Sequence, residues 1–235
     1  TPVDERRADL ARIGQLAKNE GIRLLMSDST NAEEPGYAPS ETNVGGVLRG
    51  LFAQQRGRRI ITASFASHLH RIQQIADAAM ADGRKIATLG LSMKKNVRLG
   101  RELKVLDIPE SAIIDIEDID KYQPGQICII STGSQGEPMS GLARMANRDH
   151  QIRIVQGDTV ILASSLIPGN ENPVNRVING LTRWGADVVH KGNALVHVSG
   201  HASAGELLYF YNLLTPANVM PVHGEPRHLR ANAAL

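Results

Sequence analysis

Between residues 58 and 190 short apolar runs alternate with helix-like stretches, and no other property of the chain constrains its fold as much. RRIITASF (58–65), KIATLG (85–90), QICIISTG (126–133), TVILASS (159–165) and ADVVH (186–190) read as strands. Between them lie HLHRIQQIADAAMADG (68–83), an amphipathic helix closed by Gly83, a basic helix over Lys94–Leu103, GLARMANR (141–148) and a helix over Val174–Trp184. Short strands that are apolar throughout, joined by helices, predict an α/β fold of βαβ units. Its sheet is parallel and doubly wound, with helices on both faces. In such sheets function collects at the carboxyl ends of the strands, and the polar runs SFASH, STGSQGEP and SSLIPGNE fall at those ends.

The flanks read differently. A helix around Asp4–Asn19 precedes GIRLLMSDSTN, an apolar strand that ends in a polar turn. Ala32–Asn43 is a loop, and Ser40 or Thr42 is placed to cap a helix over Val47–Arg56. Near the other end, VHVSGHASAGELL sets His201 between a β-like and a helix-like run. NVMPVHGEP is a second strand ending on His223, and EPRHLRANAAL is a last helix.

At 235 residues the chain buries a sizeable core as one large domain or two smaller ones. With aromatic residues at 3%, that core rests on Ile, Leu, Val and Ala, and base stacking is not the main source of any nucleic-acid affinity. The net charge of +2 permits a nucleic-acid partner without demanding one. Cys128, the single cysteine, excludes an internal disulfide and suits a reducing compartment. No apolar run approaches the roughly 18–20 residues of a membrane span. A soluble, cytoplasmic protein with no membrane partner is expected. The opening TPVDERRADL and a final residue inside a helix-like run lead to the expectation of a piece of a longer protein.

Several residues suggest chemistry. Asp28 ends a strand, where it either forms an Asx turn or orients a histidine or metal. STGSQGEP (Ser131–Pro138) offers two glycines, hydroxyls and an amide just after a strand, the makings of an anion cradle. It is neither a Walker A motif nor a dinucleotide fingerprint. His201 and His223 each follow a strand-like run and adjoin a glycine, Gly200 and Gly224, which favours a shared site over two packing residues. The pair His68 and His70 has an H-x-H spacing but no following Asp-His and opens a helix. It reads as non-metallic, although His68 or Arg71 stands where a substrate would pass. Arg56, Arg58, Arg59, Lys94, Lys95, Arg98, Arg101 and Lys104 are solvated faces unless one groove collects them, in which case they neutralise phosphates.

SDSTN, SFASHLHRIQQI, STGSQGEP, HVSGHAS and PVHGE, in this order, resemble the ribonuclease J family of the β-CASP branch of metallo-β-lactamase-fold nucleases. The resemblance implies a β-CASP domain over 41–195, flanked by parts of a metallo-β-lactamase (αββα) domain at 1–40 and 196–235. It implies zinc-dependent hydrolysis of RNA, 5′-to-3′ exonucleolytic with a 5′-monophosphate preference and also endonucleolytic, by a homodimer or homotetramer. On the matching positions Asp28 is the carboxylate that orients His201, His201 is the phosphate-facing acid, and His223 is a ligand to one of two zinc ions. Ser134 and Gln135, with Ser199, Ala202 and Ser203, surround the 5′-phosphate. The family's H-x-H-x-D-H motif and a further metal-binding Asp are not in this sequence. An alternative therefore stands beside the nuclease reading: a segment that binds RNA or its 5′-phosphate and is inactive alone.

Overall fold

The computed structural model describes residues 7–165, 167 and 169–235. The chain divides into two compact units, Glu41–His197 and the pair of segments Thr1–Ser40 and Val198–Leu235. The second crossing falls after His197 rather than after residue 195. Its reason is a side chain: the Val196 carbonyl accepts from Arg71 deep in the larger unit, and His197 is itself buried.

The larger unit is built on a six-stranded parallel sheet. In chain order its elements are α2 (Thr42–Gln54), β2 (Ile60–Ala63), α3 (Leu69–Ala81), β3 (Lys85–Leu89), α4 (Leu91–Glu102), β4 (Ile113–Ile114), β5 (Ile127–Ser131), α5 (Gly141–Ala146), β6 (Thr159–Leu162), α6 (Glu171–Arg183) and β7 (Asp187–Val189). The strand order is β4-β3-β5-β2-β6-β7. All four residues of β2 and all five of β5 are buried, as expected of strands covered on both sides.

Alternation assigns the two faces. Ile61, Ala63, Ile129, Val160 and Leu162 pack with Leu142, Met145, Val177 and Leu181, which places α5 and α6 on one face. α3 and α4 pack together on the other. The connection from β2 to β3 runs one way across the sheet and that from β5 to β6 the other, so right-handed crossovers send their helices to opposite faces. The neighbouring strands β2 and β5 are therefore the topological switch point, and the loops at their carboxyl ends diverge.

α2 starts five residues before the expected Val47, because the pair Gly45-Gly46 lies within the helix and Gly45 is buried in it. β4 and the 3-10 turns over 110–126 were not apparent from periodicity, being too short to show one.

In the smaller unit α1 (Leu10–Glu20) leads to β1 (Leu25–Asp28), and α7 (Ala204–Leu214) to β8 (Val219–Val222) and α8 (Pro226–Ala234). Residues 4–6 of the expected first helix lie outside the described residues. β1 and β8 pair in parallel with Asp28 opposite Val222, so the next residue after each strand stands at one edge. The expected strand at 196–199 does not form. The Val196 N–H bonds instead to the Ala194 carbonyl, and the Val196 carbonyl accepts from Arg71.

Candidate active site

The parallel register of β1 and β8 sets Asp28 and His223 side by side, and the Ser29 N–H donates to the His223 carbonyl at 3.1 Å. His201 arrives from the loop before α7. Its N–H donates to Ser199 Oγ at 3.2 Å, and its carbonyl accepts from Asn31 Nδ2 at 3.0 Å. Asn31 also bridges to Ser203, whose hydroxyl closes a capping box with Glu206 at the start of α7. The loop after β1 thus holds the loop that carries His201. Asn31 does this work, and the only hint of it in the sequence is the polar run SDSTN.

His201 Nδ1 forms a hydrogen bond with Asp28 Oδ2. Asp28 Oδ1 accepts from both the N–H and the hydroxyl of Thr30, at 2.9 and 2.8 Å. Burial alone raises the Asp28 pKa. The bonds from Thr30 and His201 and the charge of His201 together outweigh it and hold the carboxyl below its usual 3.8. The His201 and His223 rings are stacked with centroids 5.4 Å apart. His223 has φ +56°, a left-handed conformation rare outside glycine, and Gly224 follows at φ +146°. Such strain persists where the surroundings hold it, often at functional sites.

Asp28, His201 and His223 offer donor atoms within 4.8 Å of one another, the one such cluster of three among the described residues. Both Asp28 oxygens and His201 Nδ1 are already engaged. The exposed imidazole of His223 is the donor best suited to a metal, and it supplies one ligand where a tetrahedral zinc takes four. The donor set fits one corner of a zinc site and does not by itself complete one. His68 and His70 belong to no such cluster among the described residues.

The remaining expected residues divide between the units: Ser199, Ala202 and Ser203 belong to the smaller, and Ser134, Gln135, His68 and Arg71 to the larger. The larger unit places the β2–α3 loop, with His68, and the β5–α5 loop, with Ser134 and Gln135, at its switch point. Their side chains are more engaged than the sequence suggests. Gln135 donates to Ser164 Oγ and the Ser165 carbonyl and accepts from the Ile167 N–H, so its amide fastens two loops. Gly136, with φ +72°, passes so near α6 that an added Cβ would stand 2.5 Å from the Pro173 carbonyl carbon. This glycine of the supposed cradle serves close packing. His68 Nδ1 accepts from the Arg71 N–H and caps α3. Arg71 corrects an expectation: its guanidinium is fully buried and bonded to protein, and offers no surface to a substrate. Three of the basic residues are held in ion pairs. Arg58 pairs with Asp187 and Arg59 with Asp158 at the amino end of β2, while Arg101 pairs with Glu110.

Comparison with known families now decides the ancestry. Residues 57–181, more than half of the chain, match the family model described as the beta-CASP domain of ribonuclease J. The chain belongs to the ribonuclease J family. Residues 185–235 match a second model, the Zn-dependent metallo-hydrolase RNA specificity domain. Among ribonuclease J relatives, that of Mycolicibacterium smegmatis is 50% identical over 235 residues, covering all of this chain and 42% of the relative. Ribonuclease J of Thermus thermophilus is 46% identical over 97% of the chain and 39% of its own length. Ribonuclease J2 of Bacillus subtilis is 41% identical over all of the chain and 42% of its own length. The chain spans about two fifths of these relatives.

Proposed function

We propose that this chain is part of a zinc-dependent ribonuclease that hydrolyses RNA phosphodiesters, as a 5′-to-3′ exonuclease and as an endonuclease. The observation that carries the reading is the Asp28–His201 pair beside the exposed ring of His223. Asp28, held ionised by Thr30, accepts the hydrogen bond of His201 Nδ1, so that in the imidazolium the second proton stands on Nε2. That nitrogen has no partner among the described residues, so it is available to a scissile phosphate.

His223 would hold one zinc ion through a ring nitrogen. Zinc, when bound, supplies a hydroxide at neutral pH and offsets phosphate charge. The chain's own contribution is a proton. As water oxygen bonds to phosphorus and the P–O3′ bond breaks, the proton on His201 Nε2 passes to the leaving 3′-oxygen. Histidine is suited to both giving and regaining that proton near neutral pH. Ser134, Gln135, Ser199, Ala202 and Ser203 are the residues we assign to recognition of a 5′-monophosphate, and a homodimer or homotetramer is the assembly we expect. No helix among the described residues is long and apolar enough to cross a membrane. Cys128, whose thiol burial pushes up to about 12, suits the reducing cytoplasm in which we place the protein.

A second reading concerns these 235 residues by themselves. One free imidazole is too few ligands for a metal pair, which favours RNA binding without cleavage by the chain alone. Cleavage of 5′-phosphorylated RNA by the intact protein, before and after chelation and zinc re-addition, tests the main reading. Loss and recovery of cleavage support it. Cleavage that persists after zinc is removed contradicts it.

A further inference from the structure

The larger unit begins at Glu41 and ends at His197, so its two ends are where the chain crosses to and from the unit carrying Asp28 and His201. Both ends meet one side chain. Arg71, in the first turn of α3 and fully buried, donates Nη2 to Glu41 Oε1 and Nη1 to the Val196 carbonyl. The same Nη1 reaches the Ala163 carbonyl at 3.0 Å and lies 3.5 Å from His197 Nδ1. Nε donates to Gln74 Oε1 at 3.0 Å, and Gln74 returns a bond to the Glu41 carbonyl, also at 3.0 Å.

A buried ion pair is weak evidence for stability, since desolvation offsets most of its attraction. Its best-attested use is to specify one geometry. Arginine suits that use, because its planar fork of five donors bonds several acceptors in fixed directions, which the compact ammonium of lysine does not. Here the acceptors lie on the entering segment, the leaving segment, the end of β6 and α3 itself.

We propose that Arg71 is a positioning residue that fixes both chain crossings of the larger unit against β6 and α3, and so holds the segment that runs on to His201. The active-site consequence rests on the nuclease reading above; the clamp itself does not. His201 is four residues beyond His197, and a displacement of its loop loosens the approach to phosphate without removing any reacting group.

The test uses Arg71→Lys and Glu41→Gln in the intact protein, with hydrogen exchange read segment by segment alongside kinetics. Amides of 196–203 and of the 38–43 segment are expected to exchange about tenfold faster or more, while β2, β5 and β6 keep their protection. kcat is expected to fall about tenfold to a hundredfold with KM and zinc content little changed. Two results overturn the clamp: unchanged exchange at both crossings, or an equal loss of protection throughout the larger unit, which would make Arg71 a stabilising residue only. Faster exchange at the crossings with unaltered kcat upholds the clamp and overturns its link to His201. Failure of the nuclease reading would show separately, as unimpaired cleavage by a His201→Ala variant.

Discussion

Asp28 and His201, 173 positions apart, meet at a single ring nitrogen, Nδ1, and leave Nε2 without a partner among the described residues. That one contact turns two separately unremarkable residues into a polarised pair, because the carboxylate fixes which nitrogen faces outwards.

Replacing Asp28 with Asn therefore keeps the shape and removes the charge. RNA cleavage by the intact protein is expected to fall by about 10²–10⁴, with RNA affinity changed by less than about threefold. Single-turnover cleavage and an equilibrium titration measure the two separately. A parallel loss of affinity and cleavage would assign Asp28 to binding instead.

His197 makes stability depend on acidity. Burial, reinforced by the Arg71 charge, pushes its pKa from 6.5 down to about 4. Above pH 6.5 both folded and unfolded chains carry the neutral ring. As the pH falls from 6.5 towards about 4, the unfolded chain takes up the proton first, and stability declines across that window. Asp28, held below 3.8, adds its loss only under more acidic conditions. The urea midpoint of His197→Gln is expected to fall less than that of the parent chain between pH 6.5 and 4. Equal slopes would contradict the assignment.

Gln135 fastens the loop after β5 to the loop after β6 through Ser164, Ser165 and Ile167. Gln135→Ala leaves those groups unpaired and is expected to destabilise the larger unit by about 1–3 kcal/mol in urea unfolding. A change within experimental error would show that the side chain serves substrate alone.

Gly136→Ala meets two obstacles: a left-handed φ of +72° and a Cβ contact of 2.5 Å with the backbone of α6. The expected loss is about 2 kcal/mol or more, read as a lower melting temperature. An unchanged melting temperature would restore a purely anion-binding role to this glycine.

Much of the sheet was legible because β2, β5 and β6 are covered on both faces and so appear as unbroken apolar runs. The segment at 196–199 also reads as β-like and forms no strand, and its Val196 carbonyl is taken by Arg71, 125 positions away. His201 and His223 were legible as a pair from their strand-end, glycine-flanked positions, and Asp28 joined them only through the family resemblance. Their supports were not. Asn232, on the last helix, donates to the Asp28 carbonyl and to Ser29 Oγ, and nothing local to RANAAL indicates it. Buried polar partners of this kind have no period and no motif, so only the folded geometry reveals them.

In the proposed reaction His201 gives a proton while His223 holds metal. Zinc content and cleavage of His201→Ala and His223→Ala in the intact protein test it most directly. His201→Ala is expected to retain zinc and lose about 10²–10⁴ in cleavage, while His223→Ala is expected to lose zinc. Near-parental cleavage by His201→Ala, or full zinc content in His223→Ala, would contradict it.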